Sequence, residues 1–279
     1  MMSDREQMLE REKRESPLSD REIEEADDRS STTAKVVHEA IRLEGTEDLE
    51  RPSSSIAWSG LAAGLTMGTS MVGQGLLMAG LPNAPWRELV ASFGYTLGFI
   101  FVTMGRQQLF TETTLTATLP VLHRTHGIAD VARYWTIVFV ANIVGTLLFA
   151  ATATIPDLFK PEVVHAFTEL GTKAMAPGFF GVLAKAVIAG WLIALMVWLM
   201  PAAASAKILV IIAVTWLIAA GEFSHVIAGS SEAAFAVVQG AGGWLDYGFG
   251  FLLPALIGNS FGGVVFVALL NHAQVKEEI

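Results

Sequence analysis

No cysteine occurs among the 279 residues, which excludes disulfides, thiolate metal sites and cysteine nucleophiles. Charge is scarce too: Asp, Glu, Lys and Arg make up 16% of the chain, against 52% apolar residues and a mean hydropathy of +0.50. That composition is too apolar for an ordinary soluble domain and places most of the chain in a lipid bilayer. A nucleotide-binding glycine loop and an H-E-x-x-H pair are also missing, so no enzyme is expected. Aspartates and histidines look too few and too scattered for a metal site, and no cofactor is expected.

The charge that is present is unevenly placed. Residues 1–52 hold 9 Lys/Arg against 16 Asp/Glu, whereas residues 53–279 hold 9 against 11. The chain therefore divides into an acidic cytoplasmic tail, 1–52, and a membrane domain, 53–279. A tail of this sign argues against nucleic acid and against docking onto anionic lipid. Residues 1–30 mix charges with almost no large apolar residue and read as disordered or as a solvated helix, with Ser19 and Glu22 at capping-box spacing. Val36, Val37, Ala40 and Ile41 recur at helical spacing, which predicts an amphipathic helix near 32–49. It lies either on the membrane surface or against the protein's own cytoplasmic face. No short apolar signal-peptide core precedes the first span, so that span is expected to direct insertion.

Six apolar segments follow, at 56–80, 87–119, 133–155, 178–200, 206–239 and 249–271, each long enough to cross a hydrocarbon layer of about 30 Å. Arg51, Arg124, Arg133, Lys207 and Lys276 fall on one side, and Arg87, Lys160 and Lys173 on the other, which puts both termini in the cytoplasm. Segments two and five are overlong and interrupted by polar residues, at Gly105–Thr114 and Gly221–Ser230. Non-helical backbone at membrane depth survives only where protein or a wet cavity satisfies it, so paired breaks point to a permeation route. Asn142-Ile143-Val144-Gly145 in segment three and Asn259-Ser260-Phe261-Gly262 in segment six suggest an internal repeat offset by 117. Two three-span halves enter the membrane from opposite faces, which makes the fold class an all-α membrane protein with an inverted 3+3 repeat. Glycines every four positions, at 60, 64 and 68, 94 and 98, and 258 and 262, predict close helix packing, either within one subunit or between subunits.

His225 is the only histidine inside a span and falls within the second break. An imidazole there can donate a hydrogen bond or a proton to a passing anion, or it can be a buried histidine satisfied by a carbonyl. Thr111, Thr113, Thr114 and Thr116 supply hydroxyls near the first break, although such hydroxyls also bond harmlessly to the preceding turn. Leu109 and Phe110 look like a constriction, with ordinary core packing as the alternative. Arg106, Glu112, Glu222 and Glu232 flank the breaks and require partners. Lys173 either draws anions into a vestibule or anchors at the interface, and Lys185 lies deeper in the fourth span.

With these residues in place, the chain resembles the formate/nitrite transporter family over nearly all of 32–271. The likeness is carried by Leu109-Phe110-Thr111, His225-Val226-Ile227-Ala228, Pro254-Ala255-Leu256-Ile257-Gly258-Asn259 with Gly262-Gly263, and Asn142 with Gly145. The resemblance implies an aquaporin-like fold of six spans, a homopentamer with one pore per protomer, and small monovalent anions as cargo, in a bacterial inner membrane. It makes Thr111 and His225 the central pair with Asn259 assisting, Lys173 the vestibule lysine, and Leu109 and Phe99 the cytoplasmic constriction. The chain departs from the family at Gly229, where an asparagine is usual, and at Ser224, where a glutamate is usual and Glu222 lies two positions away. Three functions are expected from these features: a passive or proton-coupled pore for a small weak acid, a neutral-solute channel, or a non-conducting scaffold whose acidic tail recruits a cytoplasmic partner.

Overall fold

The computed structural model describes Ser19 and Thr32–Lys276. The expectations for residues 1–30, including the capping partner Glu22, lie outside the described residues. Among those described, regular structure is helical throughout, and one compact unit runs from Ala34 onward.

The first helix is α1 (Ala34–Glu50), which packs its apolar stripe on the rest of the chain. Val37 and Ile41 are buried against Leu115, Leu119, Val197 and Val267 of the protein itself, while Val36 on the other face is exposed. Gly45 permits this contact, since a Cβ there would collide with the Thr116 carbonyl.

Next come α2 (Ser53–Gly80) and α3 (Arg87–Met104), then the first break, α4 (Phe110–Thr116) and the short α5 (Thr118–Leu122). Helix α6 (Ile128–Ala153) closes the first half. The second half has α8 (Gly178–Leu199), α9 (Lys207–Ala220), the second break, α10 (Val226–Val238) and a last helix, α11 (Asp246–Val275), with π-type turns at 246–252 and 264–269. By length and composition, α6, α8 and α11 could each cross a membrane. Between the halves lies α7 (Pro161–Met175), where sequence reading saw only a loop. Pro161 at its first position starts it, and Val163, Ala166, Phe167, Leu170 and Gly171 form its buried stripe.

Packing repeats between the halves. Helix α2 packs most extensively on α6, and α8 on α11. At the first crossing a Cβ on Gly64 would strike the Asn142 carbonyl; at the second, a Cβ on Gly190 would strike that of Asn259. The recurring glycines thus serve close packing inside the chain. A single offset of 117 does not hold, however. Gly64 matches Gly190 and Arg106 matches Glu222, offsets of 126 and 116, because α8 and α9 (22 and 14 residues) are both shorter than α2 and α3 (28 and 18).

Candidate functional site

Both breaks use the same backbone device. Helix α3 ends at Gly105 and Arg106 turns left-handed (φ 54°); α9 ends at Gly221 and Glu222 does the same (φ 53°). The N–H of Arg106 reaches the Thr103 carbonyl and that of Gln107 the Val102 carbonyl, and Glu222 and Phe223 repeat this toward Ala219 and Ile218. This is a Schellman ending with a charged residue where glycine is usual, at a cost of roughly 1–2 kcal/mol each. Leu109 (φ −100°, ψ 124°) and His225 (φ −98°, ψ 121°) then cap the helices that resume, α4 and α10.

Two buried asparagines hold the breaks open. Asn142 Oδ1 accepts from the Phe110 N–H (2.9 Å) while its Nδ2 donates to the carbonyls of Gly60 (2.8 Å) and Gln108 (2.9 Å). Asn259 Oδ1 accepts from the Val226 N–H (2.8 Å), and its Nδ2 donates to Ala186 (2.7 Å) and Ser224 (2.9 Å). Asn259, expected beside the permeant, is thus fully engaged with backbone, and Ser224 contributes its carbonyl to the same brace. The Gly258-to-Gly262 run spells the pattern of a nucleophile elbow around Ser260 but lies within continuous helix.

Thr111 and His225 meet across the two breaks, with Thr111 Oγ1 2.7 Å from His225 Nε2. His225 Nδ1 accepts from the Ala228 N–H at 3.1 Å, so the neutral ring carries its proton on Nε2 and donates it to Thr111. Phe99 sets its ring edge-on to the imidazole at a centroid distance of 4.9 Å. Thr111, His225, Phe99 and Leu109 are all buried. Phe110 does not join them: its ring stacks on Trp135 and Phe139 of α6. Thr113 and Thr114 donate to carbonyls of the preceding turn, at Phe110 and Thr111.

Two chambers flank this cluster. One of about 90 Å³ takes Glu88, Ser92 and Tyr95 from α3 and reaches His225 and Gly229. The other, about 640 Å³, takes Thr103 and Met104 from α3, with Glu112, Arg106 and residues of α1. Glu88 and Met104 are separated by about 24 Å of helix rise, so the chambers lie at opposite ends of α3, and Phe99, Leu109 and Thr111 line neither.

The smaller chamber holds an ion-pair chain. Lys173 Nζ contacts Glu88 (2.7 Å) and Glu222 (2.8 Å), and Lys185 Nζ contacts the other oxygen of Glu222 (3.2 Å). Burial alone would lower the Lys173 ammonium, but its hydrogen bonds to Glu222 and Glu88 outweigh this and hold its pKa above the usual lysine value. Glu232 also lines this chamber. At the other end Arg106 pairs with Glu44 of α1 (3.2 Å), and Glu112 accepts from the Thr103 hydroxyl (2.7 Å). Gly229 has a geometric partner: the ring of Phe251 fills the space that a side chain would need.

The expectation that the histidines are too scattered for a metal site does not hold for three of them. His38, His123 and His272 come together away from both chambers. Their separation in sequence hides the cluster from any motif search.

A family model described as formate/nitrite transporter matches residues 35–273. The chain is 41% identical over 261 residues to the inner membrane protein YfdC of Escherichia coli (strain K12), covering 93% of this chain and 84% of that protein. Among solved structures it is similar to a pentameric formate channel with formate bound (TM-score 0.67, 20% identity, 80% of this chain and 98% of the other). It is also similar to an FNT family ion channel (TM-score 0.69, 22% identity, 86% and 96%).

Proposed function

This chain belongs to the formate/nitrite transporter family, and on that premise we propose that it conducts small monovalent anions of weak acids, such as formate or nitrite, across a bacterial inner membrane. It is a membrane transport protein and not an enzyme. The observation that carries the proposal is the Thr111–His225 hydrogen bond, which joins the two helix breaks between chambers at opposite ends of α3. The matching Schellman turns and asparagine braces support a six-span inverted 3+3 repeat, and the excess of Lys and Arg on one side of the spans supports cytoplasmic termini. The pentameric state of the similar formate channel supports a homopentamer with one pore in each protomer.

A bare anion in a narrow apolar passage bears a large desolvation cost, which a hydrogen-bond donor at the narrowest point offsets. His225 donates from Nε2 to Thr111 Oγ1, which leaves the threonine hydroxyl hydrogen for the permeant. Phe99 and Leu109, buried beside this pair, exclude the hydration shell. Lys173 gathers anions at the mouth, tempered by Glu88 and Glu222.

That tempering favours a second reading, in which the protonated acid or another small neutral solute is the species that passes. Carboxylates outnumber lysines in the smaller chamber, with Glu88, Glu169, Glu222 and Glu232 against Lys173 and Lys185. Proteoliposomes carrying an internal pH reporter separate the two. Formate addition that discharges an imposed potential supports anion conduction, and internal acidification without charge movement supports passage of the neutral acid; osmotic solute entry in stopped-flow light scattering with neither signal supports another neutral solute, and no response in any of the three refutes both readings.

A further inference from the structure

We propose that His38, His123 and His272 form a binding site for a divalent first-row cation of the zinc type. The three residues come from separate elements: α1, the residue that ends α5, and the last turn of α11. Their ring centroids form a nearly equilateral triangle with sides of 5.2, 5.4 and 5.2 Å. One ligand nitrogen from each ring lies within 4.8 Å of the others. His38 Nε2 and His272 Nδ1 are 3.2 Å apart, and two imidazole nitrogens on one tetrahedral zinc are about 3.3 Å apart, given zinc–nitrogen bonds of about 2.0–2.1 Å.

The hydrogen bonding within the cluster is incomplete. A single N–H···N bond between His38 Nε2 and His272 Nδ1 leaves His123 Nε2 buried without a partner. Buried ring nitrogens are nearly always bonded, so an orphan beside two other imidazoles is a positive sign of a missing group. His38 is fully buried, with Trp198 edge-on at 6.3 Å. Three imidazoles, with the neighbouring Glu39 carboxylate held by Arg42, suit zinc, copper or nickel rather than magnesium or calcium. A bound ion would tie α1 to the ends of α5 and α11.

The test uses untagged full-length protein in detergent, stripped with EDTA and then titrated with Co2+ or Zn2+. Wild type is expected to give the intense visible bands of low-coordinate Co2+, to exchange it for one Zn2+ per chain, and to melt at a higher temperature with Zn2+. His123→Ala and His272→Ala are expected to bind at least tenfold more weakly, while His165→Ala, an exposed histidine elsewhere, binds as wild type. If buried-site variants lower stability, melting without metal separates that loss from the loss of the zinc-dependent rise. A Co2+ spectrum like that of the aqueous ion, or equal Zn2+ retention by wild type and the triple alanine variant, overturns the proposal.

Discussion

Leu109 and His225 occupy the same backbone position, one at each helix break, with dihedral angles agreeing within a few degrees. The scaffold is therefore repeated while the chemistry is not: an aliphatic cap begins α4 and an imidazole cap begins α10. Replacing His225 with Leu copies the first break into the second and keeps the backbone device. The variant should assemble normally, measured by gel filtration and thermal melting, yet conduct formate at least tenfold more slowly. Wild-type conduction would mean that the imidazole is only a helix cap.

Asn259 and Asn142 each satisfy one N–H and two carbonyls in the buried interior. Truncation to alanine orphans all three groups, at about 1–3 kcal/mol each. Either variant should lose several degrees or more of melting temperature in detergent, and the two should lose similar amounts. A loss of flux at unchanged stability would instead assign Asn259 a direct role with the permeant.

Gly229 and Phe251 form a size-matched pair. Gly229→Asn, which restores the residue usual in the family, should destabilise by about 1–3 kcal/mol through overpacking. Combining it with Phe251→Ala should recover part of the loss, because the two sites share one volume. Additive melting shifts would show that the ring and the missing side chain do not compete.

Glu222 bridges Lys173 and Lys185 at a half-exposed position, so its removal should hardly change stability. Glu222→Gln leaves both lysines less compensated and should raise anion flux several-fold at low ionic strength. The gain should fade near physiological salt, where screening acts over about 8 Å. An increase that persists at high salt would point to a steric cause.

Gly45 lets α1 approach α4 closely. Gly45→Val should lift α1 and expose Val37 and Ile41, read as faster hydrogen exchange across residues 34–50. Unchanged exchange would mean that α1 does not depend on this contact.

Both breaks were legible in the sequence because polar residues at membrane depth are costly, and the same reasoning singled out Thr111 and His225. Asn259 was expected to assist at the pore because the family resemblance implies it by motif position; that its three bonds all go to backbone depends on α8 passing behind it. Helix α7 was missed because its stripe is short and lies between Pro161 and Pro177, in a stretch that read as a loop between spans. The ion pairs Lys173–Glu222 and Arg106–Glu44 join residues far apart in the chain, and no periodicity could pair them. Phe110 and Leu109 are neighbours in sequence, yet only the fold reveals that the aromatic ring turns toward α6.

The central claim is that Thr111 and His225 together form the narrowest point of a conducting pore. Formate flux into proteoliposomes, compared among wild type, Thr111→Val, His225→Phe and the double variant, tests it most directly. Each single variant should lose most of the flux and the double variant little more, since the two act through one hydrogen bond. Wild-type flux in all three folded variants would contradict the account.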